Sequence, residues 1–352
     1  GQTMKNKSDT PEHRRIQQNS GNVPPWRQWG PYVTERAWGT VREDYSPDGD
    51  AWNFLSHDLA RKKAYRWGED GLAAICDRYQ LLVFSLALWN ERDPILKERA
   101  FGVTPDEGNH GEDLKEYYFY LDNTPSHSYM KYLYKYPQRE FPYQQLISEN
   151  RARTGKGPEY ELFDTGIFDD NRYFDVEVEY AKASPLDICI RITAHNRGPD
   201  DAPLHILPQL WYRNTWAWSE PRSPEPCICL ASTGTDSSKT SGHVTLVADS
   251  SAIGPLQGLP FSYRLCTYYL HASGNCKPMF TNNETNMPEV FGAGAESHSL
   301  NVKDAFHRHI INNENCINPE LTGTKSSVHY RLTVPAGDAV EIRLRQTPQN
   351  PA

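Results

Sequence analysis

A chain of 352 residues has room for two domains or one large one. Its formal net charge of −8 argues against nucleic acid, because the nearest basic stretches, Arg61-Lys62-Lys63 and the spaced Lys131 and Lys135, are too short to track phosphates. No run approaches the roughly 18 apolar residues of a membrane span.

In chain order, residues 1–25 read as a disordered leader: they are polar and lack the apolar stretch of a secretory signal. From Trp26 to about Asp70 the sequence is rich in tryptophan, charge and glycine and follows neither a helical nor a strand period, which predicts wrapping loops and short strands. Residues 71–90 predict a buried strand pair, with "LLVFSLALWN" as the second strand and "CDRYQ" as the turn. Next comes a ribbon of tyrosine and acid, "GEDLKEYYFYLDNTPSHSYMKYLYKYPQ" (111–138), which reads as too polar for a core. Tyrosine joins an apolar ring to a wet hydroxyl, so the ribbon predicts a contact surface.

From about 172 the pattern is plainly β. "RYFDVEVEYAK" sets Phe174, Val176, Val178 and Tyr180 on one face, and "DICIRITAHN" does the same with Ile188, Ile190 and Ile192. Strict alternation marks antiparallel strands with one dry face, and "ASPLD" joins these two as neighbours. "LHILPQLWYRN", "HVTLVAD", "FSYRLCTYYL", "VHYRLTV" and "AVEIRLRQ" are further strands, the last two flanking Pro335-Ala336-Gly337-Asp338 as a compact hairpin. Residues 225–325 are turn-rich and read as a loop-rich insert. The fold class expected is mainly β: a large antiparallel β-sandwich with long wrapping loops and few short helices.

Chemistry-bearing motifs are sparse. There is no GxSxG, P-loop, GxGxxG after a strand, or HExxH. The seven cysteines (76, 189, 227, 229, 266, 276 and 316) show no CxxC pair; reduced thiols in a cytoplasmic protein are expected, with no metal and no cofactor. Asp48-Gly49-Asp50 begins like a calcium loop, but Leu59 stands where the closing glutamate would be. Two stretches combine aromatic faces with planar charged groups, the residue types that suit sugar rings and vicinal hydroxyls. One supplies Trp38, Arg42, Glu43, Asp44, Trp52, His57, Asp58, Trp67, Glu69 and Asp70; the other supplies Glu112, Asp113 and Glu116. A structural belt of tryptophans and ion pairs accounts for the first stretch equally well.

Three long strings then carry a resemblance. "WGPYVTERAWGTVREDYSPDGDAWNFLSHDLARKKAYRWGEDGLA", "LALWNERDPILKERAFGVTPDEGNHGEDLKEYYFYLDNTPSHSYMKYLYKYPQREFPY" and "EYELFDTGIFDDNRYFDVEVEYAKASPLDICIRITAHNRGP" resemble the N-terminal part of glycoside hydrolase family 63-like proteins, relatives of mannosyl-oligosaccharide glucosidases and bacterial α-glucosidases. The likeness is dense over 26–220, thins across 225–325 and returns at "YRLTVPAGDAVEIRLR"; Ser56 and Leu59 depart from the family pattern, which has proline and histidine there. The resemblance implies a β-sandwich domain over 26–345 and the start of a linker at 346–352. It also implies a following (α/α)6 barrel, not present in this chain, that holds the general acid and general base of an inverting α-glucosidase. No catalytic residue is carried over, and the chain is expected to be inactive alone. The expected partners are an oligosaccharide or glucoside and the helical barrel, the latter through the 111–138 face. A stand-alone carbohydrate-binding sandwich and a truncated structural domain are the alternatives.

Overall fold

The computed structural model describes residues 9–33, 56–64, 71–107, 113–153, 156–235 and 242–349. The first elements are α1 (Pro11–Gln18), β1 (Trp29–Tyr32), α2 (His57–Lys62), β2 (Leu72–Asp77), β3 (Leu82–Trp89), β4 (Gly102–Val103) and β5 (Asp113–Leu114). β6 (Tyr118–Asn123), β7 (Tyr129–Pro137), α3 (Tyr143–Arg153), β8 (Tyr173–Ser184), β9 (Asp187–Asn196) and β10 (Ala202–Tyr212) follow. The chain continues with β11 (Cys227–Thr235), β12 (Gly242–Asp249), β13 (Tyr268–Ser273), β14 (Lys277–Thr281), α4 (Met287–Phe291), α5 (Ala305–Asn312), β15 (Thr322–Gly323), β16 (Lys325–Val334) and β17 (Ala339–Thr347). No helix among the described residues is long and apolar enough to cross a membrane.

Two antiparallel sheets form the sandwich. The smaller runs β1-β2-β3-β10-β16-β14 and the larger β15-β11-β12-β13-β17-β9-β8-β7-β6, with β4 and β5 pairing separately. The alternation read in β8 and β9 lies where expected: Phe174, Val176, Val178, Tyr180, Ile188, Ile190 and Ile192 are all buried in the central core. They face Phe84, Leu86, Leu88, Leu204, Ile206, Leu210 and Val328 of the smaller sheet. The wet side of the β8–β9 pair is laced by charge, with Arg191 Nε 2.7 Å from Glu179.

The strand pair at 71–90 also forms, and Asp77 builds its turn. Its carboxylate accepts from the Tyr79, Leu81 and Leu82 amides and from the Tyr263 hydroxyl. β3 reads as continuously apolar because both of its faces are covered. Phe84, Leu86 and Leu88 enter the central core, while Ala87 meets Leu96, Leu207, Met279 and Phe306 beneath α5.

Four sequence expectations differ from the structure. Residues 11–18, assigned to the leader, form α1: Thr10 caps it, Pro11 opens it, and Glu12 accepts from the Ser126 amide and the Ser128 hydroxyl, tying it to the body. Pro335–Asp338 does not close a hairpin. β16 pairs with β10 and β14 in the smaller sheet, and β17 pairs with β13 and β9 in the larger, so the turn carries the chain across the sandwich. The 225–325 segment holds β11–β14, of which β11–β13 extend the larger sheet and β14 edges the smaller one. The tyrosine ribbon, read as too polar for a core, splits in two: β7 sends Met130, Tyr132, Tyr134 and Tyr136 fully inside, while β6 is the exposed last strand of the larger sheet.

Gly71 opens β2 at φ +107°, and a Cβ there would lie 2.2 Å from Ser85 Cβ on β3. Gly71→Ala therefore both strains the backbone and overpacks the strand pair. A loss of about 1–3 kcal/mol is expected in urea unfolding.

Candidate functional site

The ribbon's inward tyrosines end on charge. Lys97 donates to Glu116 Oε2 at 3.2 Å and to the Tyr143 hydroxyl at 2.9 Å. Tyr143 donates onward to Asp93 Oδ1 at 2.9 Å, and Tyr136 donates to Asp93 Oδ2 at 2.9 Å. Tyr134 and the Phe101 amide donate to Glu116. Every bond to Glu116 comes from a donor, so the group functions as an acceptor-only carboxylate. Burial nonetheless pushes its carboxyl pKa up, against the pull of Lys97 and Tyr134. Both side chains of the Lys97–Glu116 pair are 0% exposed, and Lys97 Nζ also sits 3.8 Å from the centre of the Phe141 ring.

Glu116, a candidate sugar contact or acid/base group, is placed in the interior, its side chain fully buried. Its oxygens are occupied by internal donors. Asp58 is exposed and bonded to Arg61 and Lys62 on its own helix. Asp113 lies on β5, its side chain outside the described residues. Trp38, Arg42, Glu43, Asp44, Trp52, Trp67, Glu69, Asp70 and Glu112 also fall outside the described residues.

Of the predicted residues, His57 lines a cavity. The Ser56 hydroxyl accepts from the Leu59 amide and starts α2. At the other end Lys303 donates to the Ala60 and Lys63 carbonyls and pins α2 to the body. His57 is thereby pressed inward, stacked on Tyr143 (5.7 Å between centroids) and edge-on to Phe101 (5.2 Å). Beyond it lies a cavity of about 20 Å³, bordered by Arg61, Glu98, Arg99, Gln209 and Lys325, enough for a water or a single hydroxyl. Lys325 Nζ holds Glu98 Oε2 at 2.6 Å. His57 Nε2, Arg61 Nε and Glu98 Oε1 are buried with no hydrogen-bond partner among the described residues.

This arrangement can bind a hydroxyl by donating and accepting. It supplies one carboxylate, whereas an inverting hydrolase needs two, about 6.5–9.5 Å apart. Among the described residues no group of three His, Cys, Asp or Glu is arranged to hold a metal. Glu98, Gln209 and Lys325 were missed from the sequence. The signal for Glu98 was "LKERA", a charged triplet set between apolar residues just after a core strand. Gln209 and Lys325 sit in β-runs that carry no such mark.

Glu116→Ala strands the Lys97 ammonium in the interior, and a loss of about 3–5 kcal/mol is expected in chemical denaturation. Burial, with Arg99 and Lys97 nearby, holds His57 well below the usual imidazole range, and burial brings His307 down to about 4. The unfolded chain binds those protons near pH 6.5 and the folded chain does not. The stabilisation is therefore full above pH 6.5 and falls on acidification, by about 1.4 kcal/mol per pH unit for each histidine. Urea unfolding at pH 7, 6 and 5 should show this slope, and His57→Phe should reduce it.

The chain is 38% identical over 369 aligned residues to an uncharacterized protein of Saccharomyces cerevisiae, YMR196W. The match takes in 96% of this chain and 32% of the yeast protein, so the chain spans about a third of that relative's length. No protein-family model matches the chain.

Proposed function

We propose that the chain is the supporting β-sandwich domain of a family 63-like inverting α-glucosidase acting on glucosyl oligosaccharides or small glucosides. In this reading it docks a helical catalytic barrel and helps to wall that barrel's sugar pocket. The observation that carries the reading is β6. This strand ends the nine-stranded sheet with no lysine or proline to blunt it, and Phe119 and Leu121 are 44% and 49% exposed. Tyr32 stacks on Tyr120 at 4.6 Å and bonds the Asp122 carbonyl, so this open edge is rigidly backed. An apolar edge of this kind is a site for a further chain segment to pair or pack.

Two other facts support the reading. The described candidate carboxylates are committed to internal or local ion pairs, which suits a domain that leaves acid–base chemistry to another. The yeast relative is about three times as long as the segment matched, which leaves room for a second domain in that protein. The seven free thiols fit a reducing setting such as the cytoplasm.

The test is glucose release from a panel of α-glucosyl disaccharides, by the chain alone and then mixed with the remaining segment of the yeast relative. Silence alone and activity on mixing is the expected result. Phe119→Lys with Leu121→Lys should cut the restored rate about tenfold, equivalent to about 1.4 kcal/mol at the contact, without lowering the chain's own stability. Turnover by the chain alone would overturn the reading.

A further inference from the structure

The outer face of the smaller sheet carries a second polar site, built by strand register. Leu88, Ile206 and Tyr330 point into the core, so Trp89, His205 and Arg331 point out. Trp89 pairs with His205 and His205 with Arg331, which sets the three in one row across β3, β10 and β16. His329 lies two residues along β16 on the same side, opposite Lys277 of β14. α5 brings His309 to the rim, and together these residues border a groove of about 730 Å³, within the usual range of small-ligand sites.

Hydrogen bonding fixes the tautomers there. His205 Nε2 is 2.8 Å from Glu91 Oε1, and His205 Nδ1 is 2.8 Å from His329 Nε2. A carboxylate oxygen only accepts, so His205 Nε2 carries the hydrogen. Nδ1 of neutral His205 is then the acceptor, and His329 Nε2 must donate to it. His329 is left with a lone pair on Nδ1. By the same logic His309 Nδ1, 2.9 Å from the Glu314 carbonyl, carries its hydrogen and leaves a lone pair on Nε2. Neither lone pair has a hydrogen-bond partner among the described residues. Burial and the neighbouring His205 bring His329 down to about 4, which keeps it neutral at pH 7. Glu91 holds φ +65°, a conformation uncommon outside glycine.

We propose that this groove binds a neutral polyhydroxylated ligand, a sugar or sugar-sized polyol, through the imidazole lone pairs of His329 and His309. A hydroxyl donates one hydrogen and accepts others, so it satisfies a lone pair while its oxygen takes a hydrogen from Arg331 or Lys277. An anion would meet Arg331 and Lys277 but also two acceptor lone pairs and the Glu91 carboxylate, so it is the competing ligand that the titration separates from a sugar. A metal would need a third ligand, and no such group of three exists among the described residues. The site lies on the smaller sheet whereas β6 ends the larger one, and it does not depend on a helical partner, so it stands or falls separately from the docking reading.

The experiment is histidine-ring NMR on the chain at pH 7, titrated in turn with an α-glucosyl disaccharide, inorganic phosphate and Zn²⁺. Saturable shifts of the His329 and His309 ring signals by the disaccharide are expected. Affinity should fall about tenfold in His329→Phe, the loss of one good hydrogen bond, and also in His309→Phe, which leaves the His205 chain intact. Ring signals that do not respond to the disaccharide, or that respond only to phosphate or only to Zn²⁺, would overturn the proposal.

Discussion

The contact on which much of this fold depends is the buried pair between Lys97 and Glu116. Two charges removed from water are costly, and they persist only where further polar groups take up the remaining donors and acceptors. Here Tyr134, Tyr136, Tyr143, Asp93 and the Phe101 amide complete the set. The network ties β7 of the larger sheet to the loop before β4 and to α3, which also share a small satellite core around Phe101, Phe141 and Leu146. It also provides the aromatic floor on which His57 rests. The placement of α2 therefore depends on an ion pair distant from it in sequence, and the residues beside Lys97, Leu96, Glu98 and Arg99, line the adjoining cavity.

The outer face of the smaller sheet borders two polar sites. Leu207, Met279 and Phe306 form an apolar plug beneath α5. On one side lies the His57–Glu98 cavity, on the other the His205–His329 groove. Both take side chains from β10, four residues apart, because the strand period returns Gln209 and His205 to the same face. A single strand thus serves two sites while its alternate residues, Leu204, Ile206 and Leu210, fill the core.

Legibility in the sequence followed the strength of local pattern. The alternation in β8 and β9 and the Asp77 turn could be read directly, because each is settled by residues within a few positions of one another. The tyrosine ribbon could not. A phenol is ambiguous between surface and interior until its hydroxyl has a partner, and the partners Asp93 and Glu116 lie 43 and 18 residues away from Tyr136 and Tyr134. The same ambiguity hid the burial of Glu116, whose neighbours in sequence gave no sign of Lys97.

What the sequence by itself determined is the class of fold: period-two alternation with short polar breaks leaves each strand one dry face, and dry faces of that kind stack as sheets. Which sheet each strand joins was decided by tertiary structure alone. The Pro335–Asp338 turn has hairpin chemistry, yet β16 and β17 separate into opposite layers. Each strand's edge was already matched by a more distant neighbour, β10 for β16 and β9 for β17. Alternation states that a face is buried; only the assembled sandwich states against what.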